Sequence, residues 1–185
     1  MAGHDSDVVI RTSRLALRRW RPEDREAFAA MSADPRVMAH FMATLSRPQS
    51  DAVVDMIEAE LAERPFGLWA VEIPGVVPFA GFVGLHVPGF EAHFTPCVEI
   101  GWRLAAEHWG HGYASEAAQA ALAYAWDPLG LTEVVAFTAV GHARSRAVME
   151  RVGMRHDPAG DFDHPRLPEG HQLRPHVLYR ARPAR

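Results

Sequence analysis

A single domain over residues 1–185 with a mixed α/β sheet is the fold class that the sequence predicts. Its 185 residues suffice for one domain with a hydrophobic core. Strand-like and helix-like segments follow one another in the order β-α-α-β-β-β-α-β-α-β. The chain therefore begins as an antiparallel meander and ends in a β-α-β crossover. This order is typical of a mixed, mostly antiparallel sheet flanked by helices.

The first part of the chain predicts one strand and two helices. The segment LALRRW at 15–20 alternates as strand sequences do. A proline followed by two acids at 22–24 is typical of a helix start, and this helix is expected to end near Asp34. Residues 36–50 are expected to form an irregular connection, after which a second helix begins at Ser50.

The remaining elements are marked by β-branched runs, by helical periodicity and by Pro-Gly punctuation. We expect strands at 66–73, 79–87, 97–104, 133–140 and 176–182, and helices at 113–126 and 143–152. Helix 113–126 carries alanines and one leucine along a single face, so it can approach a sheet closely. Gly153 follows the last helix at the position where glycine commonly ends one.

Composition excludes several classes of protein. The net charge of −4 gives no indication of nucleic-acid binding. The single cysteine, Cys97, rules out a disulfide within the chain and a cysteine-rich zinc site. The first ten residues are acidic and lack the apolar core of a signal peptide, and no apolar run approaches the roughly 20 residues of a membrane span. We expect a cytoplasmic protein with no nucleic-acid or membrane partner.

The stretch HWGHGYASEA at 108–117 indicates an anion site. Gly110 and Gly112 allow a tight turn and a close approach of a ligand to the main chain. The first amides of the following helix lack partners inside that helix and carry partial positive charge, which suits a phosphate or pyrophosphate. The stretch is neither a Walker A loop nor a full dinucleotide fingerprint. An ordinary glycine turn remains the alternative at this point.

Three ordered segments resemble one known family. They are TSRLALRRWRPEDREAF at 12–28, EIGWRLAAEHWGHGYASEAAQAAL at 99–122 and AVGHARSRAVMERVGM at 139–154. Together they are similar to the GNAT N-acetyltransferase superfamily, and within it to the branch of the ribosomal-protein N-terminal (alanine/serine) acetyltransferases. The resemblance implies a sheet splayed between the fourth and fifth predicted strands, with the pantetheine arm of coenzyme A in the gap.

The resemblance also implies acetyl-CoA as co-substrate, without a metal. Backbone amides would hold the pyrophosphate, and main-chain groups of strand 97–104 would pair with pantetheine. The implied cofactor-binding residues are Trp102, Arg103, Leu104, Trp109, Gly110, His111, Gly112, Tyr113, Ala114, His142 and Ser145. Two positions depart from the family pattern: Glu107 stands where glutamine or arginine is usual, and His142 stands where asparagine is frequent.

Acyl transfer to an amine needs a base for the amine and an acid for the departing thiolate. Glu99 is the candidate base because it lies in the middle of a predicted strand, where a carboxylate is unexpected without a partner. The alternative is a structural ion pair with an arginine. Ser145 is the candidate acid by resemblance; it could instead only cap its helix, and Tyr113 could supply the proton. An acyl-enzyme on Cys97 is disfavoured, since no histidine stands beside it in sequence.

Histidines and aspartates crowd the last third of the chain, but their spacings match no common zinc pattern. The segment DFDHPRLPEGH at 161–171 predicts a long loop instead. By resemblance this loop and the 36–50 connection would border the acceptor pocket; plain surface loops are the alternative.

A protein or peptide N-terminal α-amine is the favoured acceptor. Its pKa of about 8 demands only a modest base, whereas a lysine amine lies near 10.4. Small-molecule amines (polyamines, amino acids or antibiotics) form a close alternative. A non-catalytic acyl-CoA sensor and a metal-binding protein are rivals from other classes. A homodimer is common among the enzymes that the sequence resembles, although no segment indicates an interface.

Overall fold

The computed structural model describes residues 7–183 and contains nine strands and four α-helices in that range. The strands are β1 Val8–Arg11, β2 Ala16–Arg18, β3 Leu68–Ile73, β4 Val77–His86, β5 Glu99–Leu104, β6 Val134–Ala139, β7 Arg155–His156, β8 Phe162–Asp163 and β9 Pro175–Ala181. The helices are α1 Asp24–Ala33, α2 Arg47–Glu63, α3 Tyr113–Trp126 and α4 Ala143–Arg151.

The strands form one mixed sheet in the order β1-β2-β3-β4-β5-β6-β9-β7, with β8 paired to β9. Every pairing is antiparallel except that of β5 with β6, which is parallel. The predicted mixed, mostly antiparallel sheet is therefore confirmed. The parallel pair arises because α3 forms the crossover between its two strands.

The parallel pair is splayed, as predicted. Along its other edge β5 is paired with β4 over its whole length, from His86↔Glu99 to Gly81↔Leu104. With β6 it keeps only the register pair Glu99↔Val135, beside a hydrogen bond from the Val135 N–H to the Val98 carbonyl. A gap therefore opens between β5 and β6 after their first residues.

The helices cover both faces of the sheet. Phe82 of β4 packs against Phe28 of α1, with ring centroids 6.1 Å apart. Trp69, which is paired across strands with Val83, packs against Tyr124 of α3 at 5.3 Å. Because neighbouring strand residues point to opposite faces, α1 and α3 lie on opposite sides of the sheet.

The structure differs from the sequence-based expectations in three places. The predicted irregular connection ends at residue 46, because α2 begins at Arg47 and not at Ser50. A capping box explains this: the Ser46 N–H donates to the Gln49 side chain at 2.9 Å, and a proline occupies the first turn. The short strands β1, β7 and β8 were not predicted. Cys97 was expected inside a strand, but β5 begins two residues later.

No helix within residues 7–183 is long and apolar enough to cross a membrane. The expected absence of a signal peptide concerns mainly residues 1–6, which lie outside the described range.

Candidate active site

The loop between β5 and α3 presents its backbone to solvent. Gly110 and Gly112 both have a φ of 81°, a conformation that residues with a side chain rarely adopt. A Cβ atom at Gly110 would meet nothing within 4 Å, so the main chain is open to a ligand there. Gly112 is the N-cap of α3, whose first amides have no acceptor inside the helix. The loop therefore suits the anion that the sequence predicts.

Glu116, in the first turn of α3, anchors this loop to the turn between β1 and β2. Its carboxylate accepts hydrogen bonds from the hydroxyls of Thr12 (2.6 Å) and Ser13 (3.1 Å) and from the backbone and Nε of Arg14. These donors outweigh the effect of burial and lower the pKa of Glu116. Arg14 also donates to the His111 carbonyl at 3.0 Å. Sequence analysis missed this anchor, because its partners lie about a hundred residues apart along the chain.

Aromatic side chains pack on either side of the glycines. The Trp109 indole N–H donates to the Leu104 carbonyl at 2.9 Å, and the Arg144 guanidinium lies 4.4 Å from the Trp109 ring. Tyr113 stacks on His111 and lies 4.8 Å from the Arg14 guanidinium. Tyr113 thus packs over the loop, which favours a structural role for it over that of a proton donor.

The main chain of β5 divides its hydrogen-bonding groups between the gap and β4. Ala105 donates its N–H to the Ala80 carbonyl, and Arg103 pairs in register with Phe82. Because main-chain groups alternate in direction along a strand, those of Arg103 point to β4, whereas those of Trp102 point to the gap. Of the three residues expected to pair with pantetheine, Trp102 and Leu104 direct main-chain groups to the gap, whereas those of Arg103 are directed to β4.

Glu99, the predicted base, is buried at the closed end of the gap. Its Oε2 atom lies 2.9 Å from Nε2 of His86, the residue directly across from it on β4. Burial raises the pKa of Glu99, and the neighbouring imidazole opposes part of that rise. Burial works against a charge on His86, but the carboxylates of Glu99 and Glu60 outweigh it and raise the pKa of His86. The partner is thus a histidine and not the arginine of the alternative structural ion pair.

The Glu99 carboxylate and the His86 imidazole form a close unit, 2.9 Å apart, in which each group affects the pKa of the other. A buried unit of this kind can take a proton from an incoming amine and pass it on, since the His86 side chain remains about one quarter exposed. Cys97 cannot compete as a nucleophile. Burial, with help from the charge of Glu99, raises the pKa of its thiol to about 11, so the thiol stays protonated at neutral pH.

Ser145 and His142 lie at the start of α4, next to the far side of the gap. The helix begins at Ala143 with His142 as its N-cap, so Ser145 does not cap it. The Ser145 hydroxyl makes no hydrogen bond to another residue of the described chain and is free for a ligand. His142 lies 3.0 Å from the Thr138 hydroxyl, and burial lowers its pKa to about 4. It is therefore neutral near pH 7.

The 36–46 connection reaches this site from the α1 face. His40 stacks on His142 with ring centroids 3.9 Å apart. Phe41 lies over Arg103, whose guanidinium carbon is 4.2 Å from the ring centroid. Both contacts bring the connection to the residues that flank the gap, next to the places expected for an acceptor.

The 161–171 loop packs beside the Glu99 end of the gap. It belongs to an aromatic cluster built around Val135, the register partner of Glu99, with Phe90, Phe94, Phe137, Phe162 and His164. Burial lowers the pKa of His164 to about 4. Among residues 7–183 no three His, Cys, Asp or Glu side chains come together as a metal site.

Comparison with known proteins identifies the family. A model described as "Acetyltransferase (GNAT) domain" matches residues 14–155. The chain belongs to the GNAT acetyltransferases. It is an acyltransferase with the GNAT fold, and the match spans both the β5–α3 loop and the start of α4.

Individual relatives of this GNAT protein agree at the level of the fold. The FsC-acetyl coenzyme A-N(2)-transacetylase of Aspergillus fumigatus is 30% identical over 160 residues, which cover 80% of this chain and 65% of that protein. The acetyltransferase from Agrobacterium tumefaciens superposes with a TM-score of 0.76 at 28% identity, covering 94% of both chains. RimJ of Mycobacterium smegmatis, in complex with CoA-disulfide, has a TM-score of 0.71 at 20% identity, covering 91% of this chain and 81% of that one, and shows the fold alone.

Proposed function

We propose that this protein transfers an acetyl group from acetyl-CoA directly to a primary amine, with a peptide N-terminal α-amine as the favoured acceptor. The observation that carries the proposal is the buried Glu99–His86 pair at the closed end of the gap between β5 and β6. The pair places a proton acceptor beside the gap in which the family binds its thioester. The side chain of Glu99 lies on the face of β5 that points toward α1.

The donor side of the site holds acetyl-CoA through the backbone. Amides from Trp109 to Ala114 bind the pyrophosphate, and the main chain of Trp102 and Leu104 pairs with the pantetheine amides. Arg14 and Arg144 flank the loop and add positive charge, and the exposed Glu107 adds one negative charge near its start. Acetyl-CoA supplies the activated acyl group as a thioester, which the amine attacks as the thiol leaves.

The protein residues move the protons of this reaction. The Glu99–His86 pair accepts a proton from the amine, directly or through water, and a pKa of about 8 for an α-amine makes this a modest demand. The Ser145 hydroxyl, which has no partner among the described residues, donates to the departing sulfur. A main-chain N–H of β5 that faces the gap stabilises the negative charge on the carbonyl oxygen.

A small-molecule amine is the second candidate acceptor. One observation favours it: the Aspergillus relative is named for transfer to an N(2) position, and its identity to this chain reaches 30%.

A Glu99→Gln variant tests the proposal by separating turnover from binding. We expect turnover, measured as release of free thiol with peptide or small amines, to fall about 10²–10⁴-fold because the base is lost. Calorimetry should show acetyl-CoA binding retained, since Glu99 lies at the end of the gap away from the loop. Full activity of this variant between about pH 6 and pH 9 would exclude Glu99 as the base.

A matched pair of glycine variants tests the donor site. Gly110→Asp places a carboxylate where the pyrophosphate binds, and two charges about 4 Å apart repel by about 1–4 kcal/mol. Gly130→Asp introduces the same strain, since Gly130 also has a positive φ (62°) and open space around it, but at the opposite end of α3. Only the first should lose acetyl-CoA binding. Tight binding by wild type without turnover on any amine would identify a sensor.

A further inference from the structure

One half-buried arginine on the α1 face of the sheet, Arg103, has buried guanidinium nitrogens without a hydrogen-bond partner. The Nε and Nη1 atoms of Arg103 are buried and form no hydrogen bond, and no carboxylate of the described chain pairs with the guanidinium. Burial alone lowers its pKa, to about 10. A buried guanidinium with unused N–H groups costs stability, and such a group in a native structure calls for an explanation.

The surroundings hold Arg103 in place without satisfying it. Its guanidinium carbon lies 4.2 Å from the ring centroid of Phe41 and 5.4 Å from that of Phe82. The two rings shield the cation and favour one orientation, but an aromatic ring cannot accept the five N–H bonds that a guanidinium offers. The donors therefore remain available to an anionic ligand, for which a planar guanidinium is well suited.

Arg103 shares its strand face with the proposed base. Side chains alternate along β5, so Glu99, Gly101 and Arg103 point to the α1 face. The Cα atoms of Glu99 and Arg103 are about 13 Å apart at the usual rise of a strand. Between them Gly101 contributes no side chain, and a Cβ placed there would make ordinary contacts with His86 and Leu68 at 3.9 Å. The strand face between the base and the cation therefore has room for a group of about that size, next to the His86 side chain.

The 36–46 connection closes this space from above. Phe41 covers Arg103 and is itself 41% exposed, and its neighbour Met42 is 55% exposed. His40 joins the connection to His142 at the start of α4. An acceptor that entered beneath the connection would meet apolar side chains at the mouth, the Arg103 cation on one side and Glu99 on the other.

We propose that Arg103 binds a carboxylate of the acceptor, so that the preferred substrate is an amine that also carries an acidic group. The inference rests on the proposed N-acetyltransferase function and names the class of amine that this site takes. Two sources can supply the carboxylate: an acidic side chain next to the N-terminus of a peptide, or a small amino acid.

Matched acceptors test this proposal in steady-state kinetics. A peptide beginning Ser-Asp is compared with one beginning Ser-Asn, and 4-aminobutyrate with butylamine, so each pair differs only in the carboxylate. We expect wild type to prefer the acidic member of at least one pair by about ten- to a hundredfold in kcat/KM. Preference in the peptide pair alone identifies a peptide acceptor, and preference in the other pair alone identifies a small amino acid. Equal rates within both pairs overturn the proposal.

Two variants separate charge from shape. In Arg103→Met the preference should fall to a ratio of about one, whereas Arg103→Lys, which keeps the charge, should retain part of it. Acetyl-CoA affinity is measured by calorimetry in the same proteins. If Arg103→Met weakens acetyl-CoA binding and leaves the acceptor preference intact, Arg103 serves the coenzyme and the proposal is wrong.

A binding measurement keeps the test independent of catalysis. N-acetylated Ser-Asp and Ser-Asn peptides resemble the product and cannot react, so they report on Arg103 even if no amine is acetylated. The acidic peptide should raise the melting temperature of wild type more than its amide counterpart does, and this difference should vanish in Arg103→Met. If the acidic peptide stabilises wild type more than the amide peptide but no amine is acetylated, the proposed function alone is rejected. If the two peptides shift the melting temperature of wild type equally, the carboxylate site is rejected.

Discussion

Arg18 and Arg103 lie on strands of the same sheet and both have buried guanidinium nitrogens, although Arg103 as a whole is only half-buried; the protein supplies hydrogen-bond acceptors to Arg18 alone. Arg18 is fully buried and forms a two-pronged ion pair with Asp24 at 2.8 and 2.9 Å. It also donates to Glu72 and to the carbonyls of two other residues. The Arg103 guanidinium has two flanking aromatic rings, and its Nε and Nη1 atoms form no hydrogen bond within residues 7–183.

The contrast separates a structural charge from a functional one. Arg18 ties the first turn of α1 to β2 and β3, and all of its partners come from the chain itself. No carboxylate of residues 7–183 pairs with the Arg103 guanidinium, although the same protein provides two for Arg18. A charge that is kept buried and unpaired beside a proposed active site is explained if the ligand supplies the missing partner.

Replacing Arg18 should have the largest effect on stability. Arg18→Met leaves the buried Asp24 carboxylate without a cation, with only the Arg21 N–H still donating to it, and breaking a buried pair in this way costs about 3–5 kcal/mol of unfolding free energy. Urea unfolding measures the loss. Arg25→Met is the matched control: Arg25 also pairs with two acids, Asp55 and Glu58, but these are exposed, so its removal should cost about 1 kcal/mol or less. Equal losses of unfolding free energy in the two variants would show that the buried ion pair of Arg18 contributes no more to stability than the exposed pairs of Arg25.

Replacing Arg103 should have a smaller effect of the opposite sign. Arg103→Met removes unsatisfied buried donors and keeps most of the apolar contact with Phe41 and Phe82. The unfolding free energy should therefore rise by about 1–2 kcal/mol. The same urea titration checks this. A loss comparable to that of Arg18→Met would mean that Arg103 is paired within the protein, and the comparison between the two arginines would fail.

The Glu99–His86 pair differs from both arginines. Each of its groups has a partner in the protein, as Arg18 does, but the charge of His86 changes with pH near neutrality. The pKa of His86 is raised in the folded protein, so its contribution to stability is fully present below about pH 6.5. That contribution is lost as the pH rises through the raised, folded-state value. His86→Gln should abolish this part of the pH dependence of unfolding, which is a smaller change than either arginine variant produces.

The same variant has a kinetic readout. Protonated His86 favours the ionised form of Glu99, so His86→Gln should move the acid limb of the kcat/KM profile to higher pH. An unmoved limb would show that His86 does not position or tune the base.

The features that sequence analysis recovered are local ones. Helix α3 begins at Tyr113 and ends at Trp126, as its alanine stripe and the preceding glycines predict. Both glycines adopt the positive φ that the motif implies. The start of α2 was also readable, since a serine, a proline and a glutamine at 46–49 form a capping box, but the prediction placed it at Ser50.

The features that it missed depend on partners far along the chain. The hydrogen bonds from Thr12 and Arg14 to Glu116 span about a hundred residues. The contact between Phe41 and Arg103 joins a connection to a strand that follows it by sixty positions. No short-range pattern encodes such pairs, because they arise only when the strands are in register and the helices are packed.

The amino-acid sequence by itself determined the order of the longer elements, the glycine turns that shape the loop at 109–114, the resemblance of the chain to its family and the candidate base Glu99. The elements, the turns and the strand position of Glu99 follow from periodicity and backbone conformation, which are properties of neighbouring residues, and the family follows from the resemblance of three ordered segments. Only the tertiary structure decided that Glu99 pairs with His86, that Phe41 covers Arg103, and that the Nε and Nη1 atoms of Arg103 stay unpaired. Burial and cross-strand register determine those outcomes, and both are properties of the assembled sheet.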